Sequence, residues 1–351
     1  MTALRWHARA DVRLDEVPVP SRAPGEVLIE VSRVGLCGTD LEEYRDGPLD
    51  IPVDVPHPLT GRVAPITLGH EVVGVVVESD PAGPPVGTFV VPDVVVGCGV
   101  CWWCQRHEPG QCPRLSVRGM HSDGGLARFM VADAASCIPL PPDLLPDVAV
   151  FSEPAAVAVR AFRKAGDVAG AVLCVQGAGA VGTLLAQLAL ASTAAVVVVV
   201  DPDEGRRAIL AAAGAACFSV EDAAAGVAAL SGGRGADVVF ECSGAARAPR
   251  QATAITRPGG TVVLVGFGPA ELTVDWLPLV LGERRLIGSA AHVWDVDVRA
   301  AVSLIARGVL DPGVITSATV PLERAIVDGF ERLVADPRAP KILVDPTGGS
   351  A

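Results

Sequence analysis

The sequence predicts an α/β fold organised around a doubly wound parallel sheet, and three observations in its second half carry that expectation. "AVLCVQ", from Ala171, is a short apolar run followed at once by the glycine-rich turn "GAGAVG" and the helical composition of "TLLAQLALA". A second apolar run, "AAVVVVVD", ends in the acid Asp201. Alternation then continues through "GAACFSV", "GADVVFECSG", "GGTVVLVGF" and "RRLIGSA", with Ala-rich helical segments between them. Six short apolar strands with intervening helices are what a doubly wound sheet requires.

Within this half, Gly177, Gly179 and Gly182 form a G-x-G-x-x-G pattern. Glycines at that spacing permit a tight turn and let a pyrophosphate approach the helix N-terminus at Ala180 and Val181. The motif alone is weak. A strand before it, a helix after it, and an acid about twenty residues beyond its last glycine make it strong. That acid, Asp201, would accept hydrogen bonds from the adenosine ribose hydroxyls, and its charge would repel the extra phosphate of NADP, so NAD is expected. Arg206 and Arg207 could pair with that phosphate, or could simply begin a solvated helix face. Cys174, Cys217 and Cys242 fall in or beside the strands and read as small core residues, as does Cys137 elsewhere. After about residue 292 the strand–helix regularity fades, and "APKILVDP" ends with one last strand.

Composition bounds the function. The chain has 351 residues, enough for two domains, and its formal charge of -12 argues against non-specific nucleic-acid binding. "MTALRWHARADVRLDE" lacks a signal peptide's apolar core, and "VVVVV" is too short to span a bilayer, so a cytoplasmic protein without a membrane partner is expected. Thiols stay reduced there, and clustered cysteines more often bind metal than pair.

Four of the nine cysteines crowd into "GCGVCWWCQRHEPGQC" as Cys98, Cys101, Cys104 and Cys112. That spacing suits the closed tetrahedron of a structural zinc site. Two disulfides, thiols that merely lie close, or a zinc ribbon are the alternatives; the ribbon suits an acidic chain poorly. Upstream, "GLCGTDLEEY" holds Cys37, Thr39 and Asp40, and "TLGHEVVG" presents His70 and Glu71 ahead of an alternating strand. "FSEPAAVAVRAF" places Glu153 before Pro154 at the start of a helix. One Cys, one His and one Glu make a three-ligand set that leaves zinc an open position.

The order C-G-T-D, G-H-E-x-x-G, C-x-x-C-x-x-C-x7-C and E-P resembles the zinc-dependent medium-chain alcohol and polyol dehydrogenases over essentially the whole chain. The resemblance implies a Rossmann domain inserted into a GroES-like, mainly β catalytic domain. The expected boundaries are 1–155 with a structural-zinc lobe at about 97–113, 156–291 for the nucleotide domain, and 292–351 for the return, with the active site in the cleft. It implies two zinc ions per subunit, one structural and one catalytic, the latter on Cys37 and His70. The third ligand is a Cys in many relatives and a Glu in the polyol, threonine and butanediol branches. The E-P match points to Glu153, while Glu71 is a neighbour that in some relatives approaches or exchanges onto the metal. Asp40 matches the acid that orients the ligand histidine. The family is usually dimeric or tetrameric.

The expected reaction is reversible oxidation of a secondary alcohol to a ketone, with hydride passing to the nicotinamide and the hydroxyl of Thr39 taking the alcohol proton. "YRDGPLDIPVDVPHPLTGRVAPITLGHE" resembles the insertion of the butanediol dehydrogenase branch, and related enzymes oxidise aminocyclitols, so vicinal diols and cyclic polyols lead as substrates. A zinc-free quinone or enoyl reductase and a non-catalytic cofactor-fold protein are the rivals. The chain departs from the pattern at Glu42, where many relatives carry a proton-relaying histidine. Glu42 is either that relay or a solvated acid, in which case the proton leaves through water.

Overall fold

A computed structural model describes residues 1–268, 271–336 and 338–348. The chain divides into two compact units. The first comprises Met1–Ala156, His292–Ala306 and Thr316–Ala351; the second comprises Val157–Ala291 and Arg307–Ile315.

The first unit opens with β1 (Thr2–Ala8), β2 (Asp11–Glu16) and the long β3 (Glu26–Gly35), which leads into α1 (Gly38–Asp46). Next come β4 (Ile66–Thr67), β5 (Glu71–Glu78), β6 (Phe89–Pro92), β7 (Val95–Val96), β8 (Ser116–Val117), β9 (Phe129–Asp133) and β10 (Cys137–Pro139). Helix α2 (Pro146–Ala149) precedes α3 (Ser152–Lys164), within which the first unit gives way to the second. The alternating valines of β5 place one face on a core that includes Trp6, Ile29, Leu68, Leu126 and Phe330. Strands β3 and β5 are antiparallel, with Gly35 opposite Glu71.

The second unit is the doubly wound layer that the apolar runs predict. Its elements are β11 (Val172–Gln176), α4 (Ala180–Leu190), β12 (Val196–Val200), α5 (Glu204–Ala212), β13 (Ala216–Phe218), α6 (Ala223–Leu230), β14 (Ala236–Glu241), α7 (Ala248–Ile255), β15 (Thr256–Leu264), α8 (Trp276–Leu281) and β16 (Arg285–Gly288). The six strands are parallel in the order β13-β12-β11-β14-β15-β16, which reverses direction at β11 as a dinucleotide-binding sheet does. Residues of β11 are buried throughout, which suits the apolar run Val172–Val175 that ends at the buried Gln176. Cys174 lies in this core. Segment Arg307–Ile315 joins the unit because Gln187 clasps Asp311, donating to its carbonyl at 2.9 Å and accepting from its N–H at 2.8 Å.

The chain completes the first unit with α9 (Arg299–Ala306), β17 (Thr316–Pro321), α10 (Arg332–Ala335) and β18 (Lys341–Asp345). Strand β18 enters the sheet between β3 and β17, pairing Leu343 with Gly35. The path of that seven-stranded sheet is β10-β6-β5-β3-β18-β17, with β9 also on β3. Thus β3 is flanked at its exit by the start of β5 on one side and the start of β18 on the other. Among the described residues no helix is long and apolar enough to cross a membrane.

Candidate metal and nucleotide sites

Register explains how residues far apart in sequence meet at the end of β3. Since Gly35 lies opposite Glu71, the chain leaving β3 runs beside the chain entering β5, and Cys37 is brought to His70. One ligand atom from each of Cys37, His70 and Glu71 lies within 4.8 Å of the others. Gly35 has to be glycine, because a Cβ there would collide with Glu71 Oε2 and crowd the Lys341 side chain.

Electrostatics fix the corner. Asp40 is fully buried; its Oδ2 accepts the Cys37 N–H at 2.9 Å, and its Oδ1 lies 3.4 Å from His70 Nδ1. The other ring nitrogen, Nε2, is 3.3 Å from Thr39 Oγ1. Burial alone would lower the proton affinity of His70, but Asp40 and then Cys37 outweigh it and raise it well above the ordinary value. Glu71 is fully buried, with Oε1 2.5 Å from Lys341 Nζ and Oε2 without a partner. A buried carboxylate oxygen with no hydrogen bond is costly in any protein lacking a cation beside it. Sulfur, imidazole nitrogen and carboxylate oxygen together fit a borderline-soft dication such as zinc.

Glu153 begins α3 as expected but stays outside this three-residue group; its Oε1 is 3.4 Å from His292 Nδ1. The ring of His292 in turn places Nε2 2.9 Å from Asp93 Oδ1. Sequence reasoning missed Lys341, His292 and Asp93. The available signals were a lysine heading the apolar run "KILVD" and a histidine set among apolar residues in "SAAHVWD".

The four-cysteine loop also closes. Atoms of Cys98, Cys101, Cys104 and Cys112 lie within 4.8 Å of one another, and all nine cysteines of the chain are free thiols. Backbone N–H groups of Cys98 and Arg114 point at Cys112 Sγ at 3.4 Å, and that of Cys104 at Cys101 Sγ at 3.5 Å. Donors aimed at sulfur suit thiolates, and four convergent sulfurs fit a closed tetrahedral ion.

On α1, Thr39 and Glu42 are three apart and share a face. Glu42 is half-buried; burial raises its pKa against Arg45, helped by Asp46, Asp50 and Glu43. Its neighbour Glu43 is 1 % exposed and accepts the N–H groups of Leu49, Asp50 and Ile51, anchoring the start of the insertion that precedes His70. Farther along that insertion, the His57 ring stacks on His121 with centroids 4.4 Å apart.

In the second unit the glycine loop crosses the end of β11. Gly177 has a φ of +92° and packs against the Ser243 backbone. Gly179, the N-cap of α4, has open space where a Cβ would stand, and no side chain caps the helix. The first-turn N–H groups of Ala180, Val181 and Gly182 are therefore available to an anion, which fits a pyrophosphate. Asp201 is 3 % exposed, with Oδ2 accepting from Ala178 N at 2.6 Å and Oδ1 from Asp203 N at 2.8 Å. Arg207 donates to the Asp201 carbonyl at 2.6 Å, while the Arg206 N–H bonds Asp203 Oδ1, the cap of α5.

Two sequence profiles match the chain: residues 23–142 match an alcohol dehydrogenase GroES-like domain, and residues 180–307 match a zinc-binding dehydrogenase. The (R,R)-butanediol dehydrogenase of Bacillus subtilis is 32% identical over 99% of this chain and 100% of its own. The crystal structure of that organism's 2R,3R-butanediol dehydrogenase superimposes with a TM-score of 0.90, covering 98% of this chain and 99% of that one at 30% identity. An erythritol/L-threitol dehydrogenase of Mycolicibacterium smegmatis is 32% identical over 92% of this chain and 91% of its own. A zinc-binding dehydrogenase of Sinorhizobium meliloti, crystallised bound to NADP, has a TM-score of 0.86 and 28% identity over 98% of this chain and 99% of that one.

The cysteine loop yields a direct test. The Val100 N–H and then Arg114 lower the Cys98 thiol to about 6, whereas burial lifts Cys104, Cys137 and Cys174 to about 12. In chelator-treated protein at neutral pH, iodoacetamide should label Cys98 faster than those three by about a hundredfold or more, because the thiolate is the nucleophile. Peptide mass spectrometry reads the order. Added zinc should protect Cys98, and equal labelling of all four would contradict the lobe's electrostatics.

Proposed function

The chain belongs to the zinc-dependent medium-chain alcohol dehydrogenases, and we propose that it oxidises vicinal diols or cyclic polyols to hydroxyketones with NAD as hydride acceptor. The reaction is the reversible oxidation of a secondary alcohol to a ketone. What supports the catalytic reading most is the convergence of Cys37, His70 and a carboxylate oxygen of Glu71, with the Thr39 hydroxyl 3.3 Å from His70 Nε2. In this reading the first unit is the GroES-like catalytic domain and the second the nucleotide domain.

Zinc held there would act as a Lewis acid that lowers the pKa of the alcohol. The chain's residues do the rest. Asp40 fixes the tautomer of His70 so that Nε2 faces the ligand side. Thr39 Oγ1, beside that nitrogen, accepts the alcohol proton, and Glu42 on the same face of α1 passes it toward solvent. The vacant N-terminus of α4 receives the pyrophosphate, which positions the cofactor. Cys98, Cys101, Cys104 and Cys112 would hold a second zinc with all four positions taken by sulfur, which would serve the lobe's fold and not the reaction.

Homo-oligomerisation as a dimer or tetramer fits the second unit's exposed apolar residues near its edge strand β16: Phe267, Trp276, Leu277 and Leu281. Nine free cysteines suit a cytoplasmic location.

Metal analysis should find two zinc ions per chain. Replacing His70 with Ala should abolish turnover with the fold intact and one zinc retained. Replacing Cys104 with Ala should instead lower the melting temperature or assembly. Full activity with one zinc or none would refute the assignment.

Asp201 underlies the preference for NAD. A carboxylate facing a phosphate at short range is a repulsion of roughly a few kcal/mol when partly buried. The Arg207 guanidinium, committed to the Asp201 carbonyl, does little to offset it. Measured kcat/KM should favour NAD over NADP by about a hundredfold, each 1.4 kcal/mol being about tenfold. Equal efficiency with both cofactors would assign the ribose pocket to the arginines.

Glu42→Gln keeps the shape and removes the basicity. Because burial raises the Glu42 pKa, the wild-type rate of alcohol oxidation should climb as pH rises through that value and the carboxylate forms. The variant should lose that limb and fall about ten- to a thousandfold below about pH 8, within or near the range for general-base catalysis. Small-molecule bases should restore part of the loss. An unchanged pH–rate profile would leave Thr39 and water as the whole relay.

A further inference from the structure

We propose that the second unit carries an anion site for a phosphate group, built by Arg234, Arg285 and Thr261 at the end of its sheet opposite the glycine loop.

The sheet brings these residues together. Its six strands are parallel, so their first residues share one edge, while the loop from Gly177 to Gly182 leaves β11 at the other. The five residues of β11, at about 3.3 Å each, put roughly 15 Å between the two edges. Thr261 of β15 pairs with Val238 of β14 on one side and with Arg285, the first residue of β16, on the other. Paired residues of neighbouring strands share a face, so Thr261 and Arg285 stand side by side. Arg234 lies in the turn before β14, and Arg257 in the irregular start of β15. A cavity of about 240 Å³ is lined by all three arginines together with Thr261, Asp237 and Asp167, all within the second unit.

A chain of formal charge -12 thus gathers positive charge around one small cavity. Asp237 does not cancel it. Its Oδ1 accepts from Arg257 Nε at 2.5 Å, and its Oδ2 from the Val172 N–H at 2.8 Å. Burial works to raise the Asp237 pKa, but that N–H, Arg257 and Arg234 together hold the carboxyl below its usual value. One arginine and one aspartate are thereby paired off. Asp167, which accepts the Ala169 N–H at 3.0 Å, remains as one acid against two arginines. Arg234 gives its Nε to the Ser231 carbonyl at 3.0 Å, and Arg285 is exposed with no ion pair among the described residues. Arg284, one residue earlier, is by contrast spent on the carbonyls of Thr256 and Pro278. Thr261 is 2 % exposed, and its hydroxyl has no partner among the described residues.

Two guanidinium groups and a hydroxyl match the oxygens of a phosphate dianion, because the planar fork of arginine meets phosphate in a bidentate way. The cavity is smaller than the roughly 300 Å³ at which pockets for drug-sized ligands begin. It suits inorganic phosphate or a short phosphate ester, and is too small for a dinucleotide.

The test is calorimetric titration of the full-length protein, in phosphate-free buffer at constant ionic strength, with inorganic phosphate and separately with glycerol 3-phosphate. A saturable binding event is expected with at least one of them. Arg234→Ala and Arg285→Ala should each weaken it about tenfold, since hydrogen bonds to charged groups are the strong ones, and the double variant should abolish it. Arg285→Lys keeps the charge without the fork and should recover only part of the loss. Thr261→Val should weaken binding by a smaller factor. Melting temperatures near wild type in the same buffer establish that the variants fold.

Saturating NAD should leave this event in place while displacing any phosphate held at the N-terminus of α4. Tighter binding of the ester would identify a phosphorylated metabolite as the ligand; tighter binding of inorganic phosphate would identify the free ion. Loss of all phosphate binding on adding NAD would overturn the proposal. So would binding unchanged in both arginine variants, or citrate binding more tightly than either phosphate.

Discussion

Asp40 is the joint on which the catalytic corner turns. Its carboxylate is fully buried, yet it binds the backbone of one candidate ligand and faces the ring of the other. Cys37 is the N-cap of α1, so the same bond that starts the helix also sets the thiol's position. Thr39 and Glu42 ride on that helix, and Glu43 ties it to the insertion beyond. A displacement of Asp40 would therefore move Cys37, Thr39, Glu42 and the insertion beyond α1 together.

Around that joint the protein resolves an unfavourable concentration of buried negative charge. Cys37, Asp40 and Glu71 gather around His70, and Asp93 and Glu153 around His292, and an uncompensated buried anion is strongly destabilising. Lys341 and His292 supply fixed positive charge. Burial alone would lower the pKa of Lys341, but Glu71 and then Cys37 raise it. The unpartnered Oε2 of Glu71 shows where compensation by side chains stops.

Much of this was legible in the sequence, for identifiable reasons. The parallel sheet announced itself because strands covered on both faces read as near-continuous apolar runs, as in "VLCV" and "VVVVV". The four-cysteine lobe was visible because its ligands are local. Cys37 and His70 were recognisable as types, but their meeting depends on the β3–β5 register, which no short motif encodes. The different surroundings of Glu71 and Glu153 were hidden because their partners, Lys341 and His292, lie 270 residues from Glu71 and 139 from Glu153 respectively. Asp201 was found as an acid at a strand end; that its two oxygens also hold the glycine loop's Ala178 and the cap residue Asp203 is a matter of local geometry.

The late entry of β18 sets an order on the birth of the molecule. Emerging from the ribosome, the chain can complete every strand of the second unit's sheet while the first unit's sheet still lacks its partner for β3 on one side. Until Lys341 arrives, Glu71 has no ammonium to meet, and closing the apolar residues over it would strand a bare carboxylate. Nascent chains should thus keep the corner around Glu71 open and hydrated until β18 has been made. The unit begun first is the unit finished last, and a chain stopped before β18 would carry a complete second-unit sheet and an unsealed first-unit one.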